Sequence, residues 1–139
     1  MDSPKILVVD DSTTIRTSLA KQLEQLGNRV VQAKDGKQGL EIALSDRFDL
    51  VISDVDMPRM DGFTFCREIK NHPVTRSVPV IMLSSLDSDG HIDQGFQSGA
   101  AAYVSKAESR EELYGTIERV LDQFKSHRRH LILVVDDSS

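Results

Sequence analysis

Ile6-Leu7-Val8-Val9-Asp10-Asp11-Ser12-Thr13 is the stretch on which the reading of this chain turns. Four consecutive apolar residues are the pattern of a short strand buried on both faces. Two carboxylates close the run, and Ser12 is placed to cap a following helix. The string returns as Ile132-Leu133-Val134-Val135-Asp136-Asp137-Ser138-Ser139, identical at seven of eight positions. A repeat of this kind marks a duplicated unit. The expectation is one complete unit over residues 1–125, then residues 126–139 as a linker and the first strand of a second unit that continues beyond Ser139.

Working outward from the first strand, strand-like and helix-like segments alternate. The stripe Ile15, Leu19, Leu23 and Leu26 predicts a helix ending at Gly27. Arg29 to Ala33 reads as a weaker strand, suited to a sheet edge, and Asp35-Gly36 turns into a helix carrying Leu40, Ala43 and Leu44. Leu50-Val51-Ile52 is a buried strand ending at Asp54, and the helix after Asp61-Gly62 presents Phe63, Cys66 and Ile69. Val78 to Leu83 is the next strand, with Pro79 tolerated near its start. Residues 88–98 make a poor helix, since Gly90 and Gly95 each cost roughly 1 kcal/mol against Ala. Ala101 to Val104 is the fifth strand. A capping box at Ser109 to Glu112 opens a last helix with Leu113, Ile117, Val120, Leu121 and Phe124 inward. Strands alternating with amphipathic helices, joined by right-handed crossovers, give an α/β fold with a doubly wound, five-stranded parallel sheet. Function in such a sheet gathers beyond the carboxyl ends of its strands.

Composition bounds the function classes. No apolar run approaches the ~20 residues of a membrane span, nothing at the N-terminus resembles a signal peptide, and the single Cys66 permits no internal disulfide. A cytoplasmic, largely monomeric protein without membrane contact is expected. A net charge of −5 argues against direct nucleic-acid binding, and the basic cluster around Lys125, Arg128 and Arg129 reads as a solvated linker. Cys66 reads as packing. His72, His91, His127 and His130 have no metal-ligand spacing and read as solvated.

The polar residues at the strand ends form one set: Asp10 and Asp11 after the first strand, Asp54 and then Asp56 after the third, Ser84 after the fourth, Ser105 and Lys106 after the fifth. Any one of these taken alone is an ordinary turn or cap residue. Brought together by a sheet, the carboxylates would repel one another, and a hard cation and the Lys106 ammonium are the available counter-charges. With no His or Cys in the set, Mg2+ suits it better than Zn2+. A carboxylate beside Mg2+, a hydroxyl and a lysine is equipped to attack phosphorus.

These strings resemble the receiver domain of two-component response regulators. The resemblance rests on Ile6 to Asp11, Asp54-Val55-Asp56-Met57-Pro58-Arg59-Met60-Asp61-Gly62, Pro79 to Ser84 and Gly99 to Lys106, and spans residues 5–125. It implies a flavodoxin-like sheet with strand order 2-1-3-4-5 and a phosphorylation-activated switch, not an enzyme acting on others. Asp54 would accept a phosphoryl group from a histidine kinase or phosphotransfer protein. Asp10, Asp11, Asp54 and the Asp56 backbone carbonyl would hold Mg2+, and Ser84 and Lys106 would contact the phosphoryl oxygens. Tyr103 matches an aromatic switch position, and the state would pass through the fourth helix, fifth strand and fifth helix to an output elsewhere. One departure is Ala107, where the family usually has proline. Two alternatives stand beside this reading. One is a binding-only receiver with an idle acceptor. The other is a phosphatase, because Asp54-Val55-Asp56 also resembles the nucleophile motif of haloacid-dehalogenase-type enzymes; Met57-Pro58 and the lack of a cap segment speak against it.

Overall fold

Four of the five strands are built on unbroken apolar runs, whereas Arg29–Ala33 has only the pair Val30-Val31. The structure, a computed structural model, describes residues 3–57, 60–84, 99–106 and 110–123. Its elements in chain order are β1 (Lys5–Val9), α1 (Thr13–Gln25), β2 (Arg29–Ala33), α2 (Gly36–Ser45), β3 (Leu50–Asp54), α3 (Gly62–Asn71), β4 (Val80–Ser84) and β5 (Ala102–Ser105). A last helix covers residues 110–123. The five strands form one parallel sheet in the order β2-β1-β3-β4-β5. The doubly wound fold and its strand order are as expected, and β2 takes the predicted edge.

Side chains alternate across each strand, so the sheet divides two cores. Leu7, Val9, Val51, Val80 and Met82 face one way and meet Ala43 of α2 and Phe65, Cys66 and Ile69 of α3. Ile6, Val8, Leu50, Ile52, Ile81 and Val104 face the other and meet Leu19 and Leu23 of α1 and Leu113, Ile117 and Val120 of the last helix. Each wholly buried aliphatic or aromatic side chain contributes ~1.5–3 kcal/mol. The starts of α1, α2 and α3 each have a side-chain cap: Ser12 Oγ accepts from Ile15 N at 3.4 Å, Asp35 from Gln38 N at 2.8 Å and Asp61 from Thr64 N at 2.8 Å.

Some details depart from the sequence reading. The fourth strand starts at Val80, after Pro79, because proline has no N–H to give the ladder. The apolar stripe of α1 is buried only in its middle: Ile15 is 41% and Leu26 57% exposed, since the sheet is shorter than the helix. His72 is half-buried rather than solvated, and its Nδ1 accepts from Val74 N at 3.1 Å beyond the end of α3. The expected fourth helix at 88–98, Ala107, Ser109, Phe124, the basic linker, the other three histidines and the repeated strand from Leu131 to Val135 lie outside the described residues. Among the described residues no helix is long and apolar enough to cross a membrane.

Candidate functional site

Parallel strands all end on the same side, and the register of this sheet brings the strand-end residues to one place. Asp10 follows β1 directly, and Asp54 closes β3 beside it. Ser84 ends β4 and pairs with Ser105 of β5, and the Lys106 N–H donates to the Ser84 carbonyl at 2.7 Å. The ladder therefore carries Lys106 toward the acids from two strands away.

Asp10 and Asp54 are each 3% exposed, whereas Asp11 is exposed. One carboxylate oxygen from each of the three lies within 4.8 Å of the others. Lys106 supplies the counter-charge. Its Nζ stands 3.0 Å from Asp54 Oδ1 and 3.4 Å from Asp10 Oδ2. Burial pushes the Asp54 carboxyl up to about 6, and the Asp10 charge adds to this. The Lys106 hydrogen bond and charge and the Asp56 N–H pull the other way without cancelling it. Burial alone would lower Lys106, but the two carboxylates outweigh it and hold the ammonium above the ordinary lysine value.

Backbone contacts fix these acids. The Ser12 N–H donates to Asp10 Oδ1 at 2.8 Å and the Asp56 N–H to Asp54 Oδ1 at 3.3 Å. The start of α3 leans on the end of β3: Gly62 N donates to the Val55 carbonyl at 2.8 Å. A Cβ at Gly62 would stand 2.2 Å from the Asp54 carbonyl oxygen, so only glycine allows this approach.

The three carboxylates suit a hard divalent cation, which prefers oxygen donors, and the exposed side of Asp11 leaves room for water. The Asp56 side chain is exposed and is not one of that group. Ser84 is wholly buried at the end of its strand. Tyr103 is half-buried and packs on the core that holds α2 and α3. Beside Lys106, Ile15, Leu19, Leu83, Ser105, Arg110 and Leu113 line a mostly apolar hollow of about 170 Å³. Two side chains at the site were not singled out from sequence: Arg16, whose Nη1 donates to the Asp10 carbonyl at 2.7 Å, and Gln32, whose Oε1 accepts from Arg16 Nε at 3.2 Å. Arg16 lies one helical turn past a cap, where a basic residue ordinarily reads as solvated surface.

The chain is similar to known proteins. The chain is 37% identical over 123 residues to protein PilG of Pseudomonas aeruginosa, covering 88% of this chain and 91% of that one. It is 38% identical over 135 residues to response regulator PleD of Caulobacter vibrioides, covering 97% of this chain but only 28% of PleD. It spans about half or less of most of the other curated relatives it matches. Among solved structures, chemotaxis protein CheY4 of Vibrio cholerae superposes with a TM-score of 0.81 at 36% identity, covering 85% of this chain and 98% of that one. The receiver domain of DrrB, solved in a BeF3-activated state, gives 0.75 at 35% identity over 86% of this chain and 98% of that one. The family model described as the response regulator receiver domain matches residues 6–118, which take in all five strands but for Lys5 and all of the clustered acids, and the chain belongs to that family.

Proposed function

We propose that Asp54 is the phosphoacceptor of this signalling switch and that the reaction depends on Mg2+ held by Asp10, Asp11, Asp54 and the Asp56 carbonyl. One observation carries the reading: Asp54 is buried at the end of a central strand, with an ammonium at 3.0 Å and two further carboxylates around it. An Asp54 oxygen attacks phosphorus of a phosphohistidine or a small phosphodonor. The bond from phosphorus to the donor breaks, an acyl phosphate forms, and the leaving group takes up a proton. Bound Mg2+ would offset charge on the transferring oxygens. Lys106 and Ser84 receive those oxygens, a reading supported by the Lys106 ammonium standing 3.0 Å from Asp54 Oδ1.

The donor is a histidine kinase or phosphotransfer protein. The phosphorylated state passes through Ser84 and Tyr103 to the side of the fold that carries β5 and the last helix, and from there to an output in the same cytoplasmic chain or in a partner. The repeat at 132–139 supports a second receiver after residue 125.

Intact mass after incubation with acetyl phosphate and Mg2+ tests the acceptor. One added phosphoryl group is expected, lost in Asp54→Ala and in EDTA. Undiminished labelling of Asp54→Ala sinks the assignment. No labelling under any condition favours the binding-only reading, and turnover of a generic phosphomonoester favours a phosphatase. Amide exchange with fluoroberyllate tests the relay, with the largest changes expected at residues 86–103. A response confined to the acid pair contradicts it.

A further inference from the structure

A guanidinium beside a cation site is electrostatically adverse, so its presence there calls for a compensating role. Arg16 is half-buried on α1 and grips the backbone of Asp10: Nη1 donates to the Asp10 carbonyl at 2.7 Å. Its Nε is anchored at 3.2 Å on Gln32 Oε1, on the edge strand β2. The other polar groups of Asp10 are also engaged. Its N–H donates to the Ala33 carbonyl at 3.1 Å, its Oδ1 accepts from Ser12 N at 2.8 Å, and its Oδ2 faces Lys106.

A carbonyl oxygen and the next residue's nitrogen and Cα lie in one plane. Holding the Asp10 carbonyl therefore holds the plane from which the Asp11 side chain departs. Asp11 is exposed, and among the described residues its carboxylate has no hydrogen bond to steer it. The backbone behind it must do the steering.

We propose that Arg16, braced by Gln32, is a positioning residue for the acid pair, aiming Asp11 at the carboxylates of Asp10 and Asp54. This rests on the reading of the cluster as a divalent-cation site. Groups that orient ligands without touching the metal commonly change affinity by roughly 10–100-fold when removed. The sign separates this role from a bystander's. Deleting a nearby positive charge should tighten cation binding by Coulomb's law, whereas losing the brace should weaken it.

The experiment is calorimetric titration of the 139-residue protein with Mg2+, for wild type, Arg16→Ala, Arg16→Lys and Gln32→Ala. Circular dichroism and thermal midpoints in EDTA accompany each. Arg16→Ala should weaken Mg2+ roughly tenfold at a temperature where it is fully folded. Arg16→Lys keeps the charge and one donor and should recover part of that loss. Gln32→Ala, which touches no acid, should give a smaller loss of the same sign. If Arg16→Ala fails to fold, the other two variants decide the question. Unchanged or tighter binding in folded Arg16 and Gln32 variants overturns the proposal while leaving the cation site standing. Wild type that binds no Mg2+ removes the site and this proposal together.

Discussion

Lys106 reaches past β4 to put its ammonium 3.0 Å from the Asp54 carboxylate, and the same nitrogen stands 3.4 Å from Asp10. Without a metal, one lysine answers for two acids that are each 3% exposed. The pair is therefore both the cation-free stabiliser of the site and a rival to any cation that enters it.

Replacing Lys106 with Ala should expose that double role. Breaking a buried ion pair from one side costs ~3–5 kcal/mol, and the Lys106 side chain is 23% exposed, so about 1–3 kcal/mol is expected near neutral pH in EDTA. The loss should shrink as Asp54 takes up its proton in acid. Mg2+ affinity should rise several-fold, since its rival has gone. Urea unfolding with and without Mg2+ measures both effects, and a variant as stable as wild type in EDTA would contradict the pairing.

Asp54 itself should destabilise the cation-free fold at neutral pH. The unfolded chain releases this proton near 3.8 and the folded one near about 6. Between those values the folded state binds more protons than the unfolded, so stability falls as pH rises through the window. Two units amount to about 3 kcal/mol, fully developed above about pH 6. Asp54→Asn should remove most of that slope in EDTA and stabilise the protein near pH 7. A parallel pH dependence in the two proteins would show that the acceptor titrates normally.

Gly62 should tolerate no side chain. An added Cβ meets backbone at 2.2 Å, which a flexible neighbour cannot relieve. Gly62→Ala is expected to lose roughly 3 kcal/mol or more and, where still folded, to take up phosphoryl groups slowly, because α3 is pushed off the acceptor strand. Gly27 is the control: a Cβ added there would meet nothing within 4 Å, although its positive φ of 97° makes any substitution strained. Denaturant midpoints and acetyl phosphate labelling compare the two.

Ile15 should matter to protein donors and not to small ones. It is 41% exposed and borders the apolar hollow beside Lys106, so a partner's side chain could rest there while its phosphohistidine faces Asp54. Ile15→Asp should leave acetyl phosphate labelling within about twofold. Labelling by a phosphorylated kinase or phosphotransfer protein should fall at least about tenfold, the effect of losing ~1.4 kcal/mol of contact. Equal losses with both donors would place Ile15 in the fold rather than the docking surface.

Strands and acids were legible because their signals are local. Val51, Ile52, Val80 and Ile81 belong to apolar runs, and each run ends in a polar residue that a parallel sheet must gather at one end. The course of α1 was only half legible, because periodicity shows which residues share a face but not how far the neighbouring sheet extends; hence Leu19 is buried and Ile15 is not. The Arg16 brace was not legible. It joins a helix, a strand end and an edge strand, and nothing in the spelling of Arg16 or Gln32 sets them apart from solvated residues. The hollow beside Lys106 was hidden for the same reason, being lined from α1, β4, β5 and the last helix.

Lys106 and Asp10 stand 96 positions apart in the chain. The acid pair is made early in synthesis, the acceptor midway and the ammonium only after the last strand has joined β4. A chain still emerging, or one caught with β5 unpaired, has its acids but not the lysine held in place beside them. On the proposed reading such a molecule is a poor target for a donor, so unfinished copies would stay silent without any separate check on their quality.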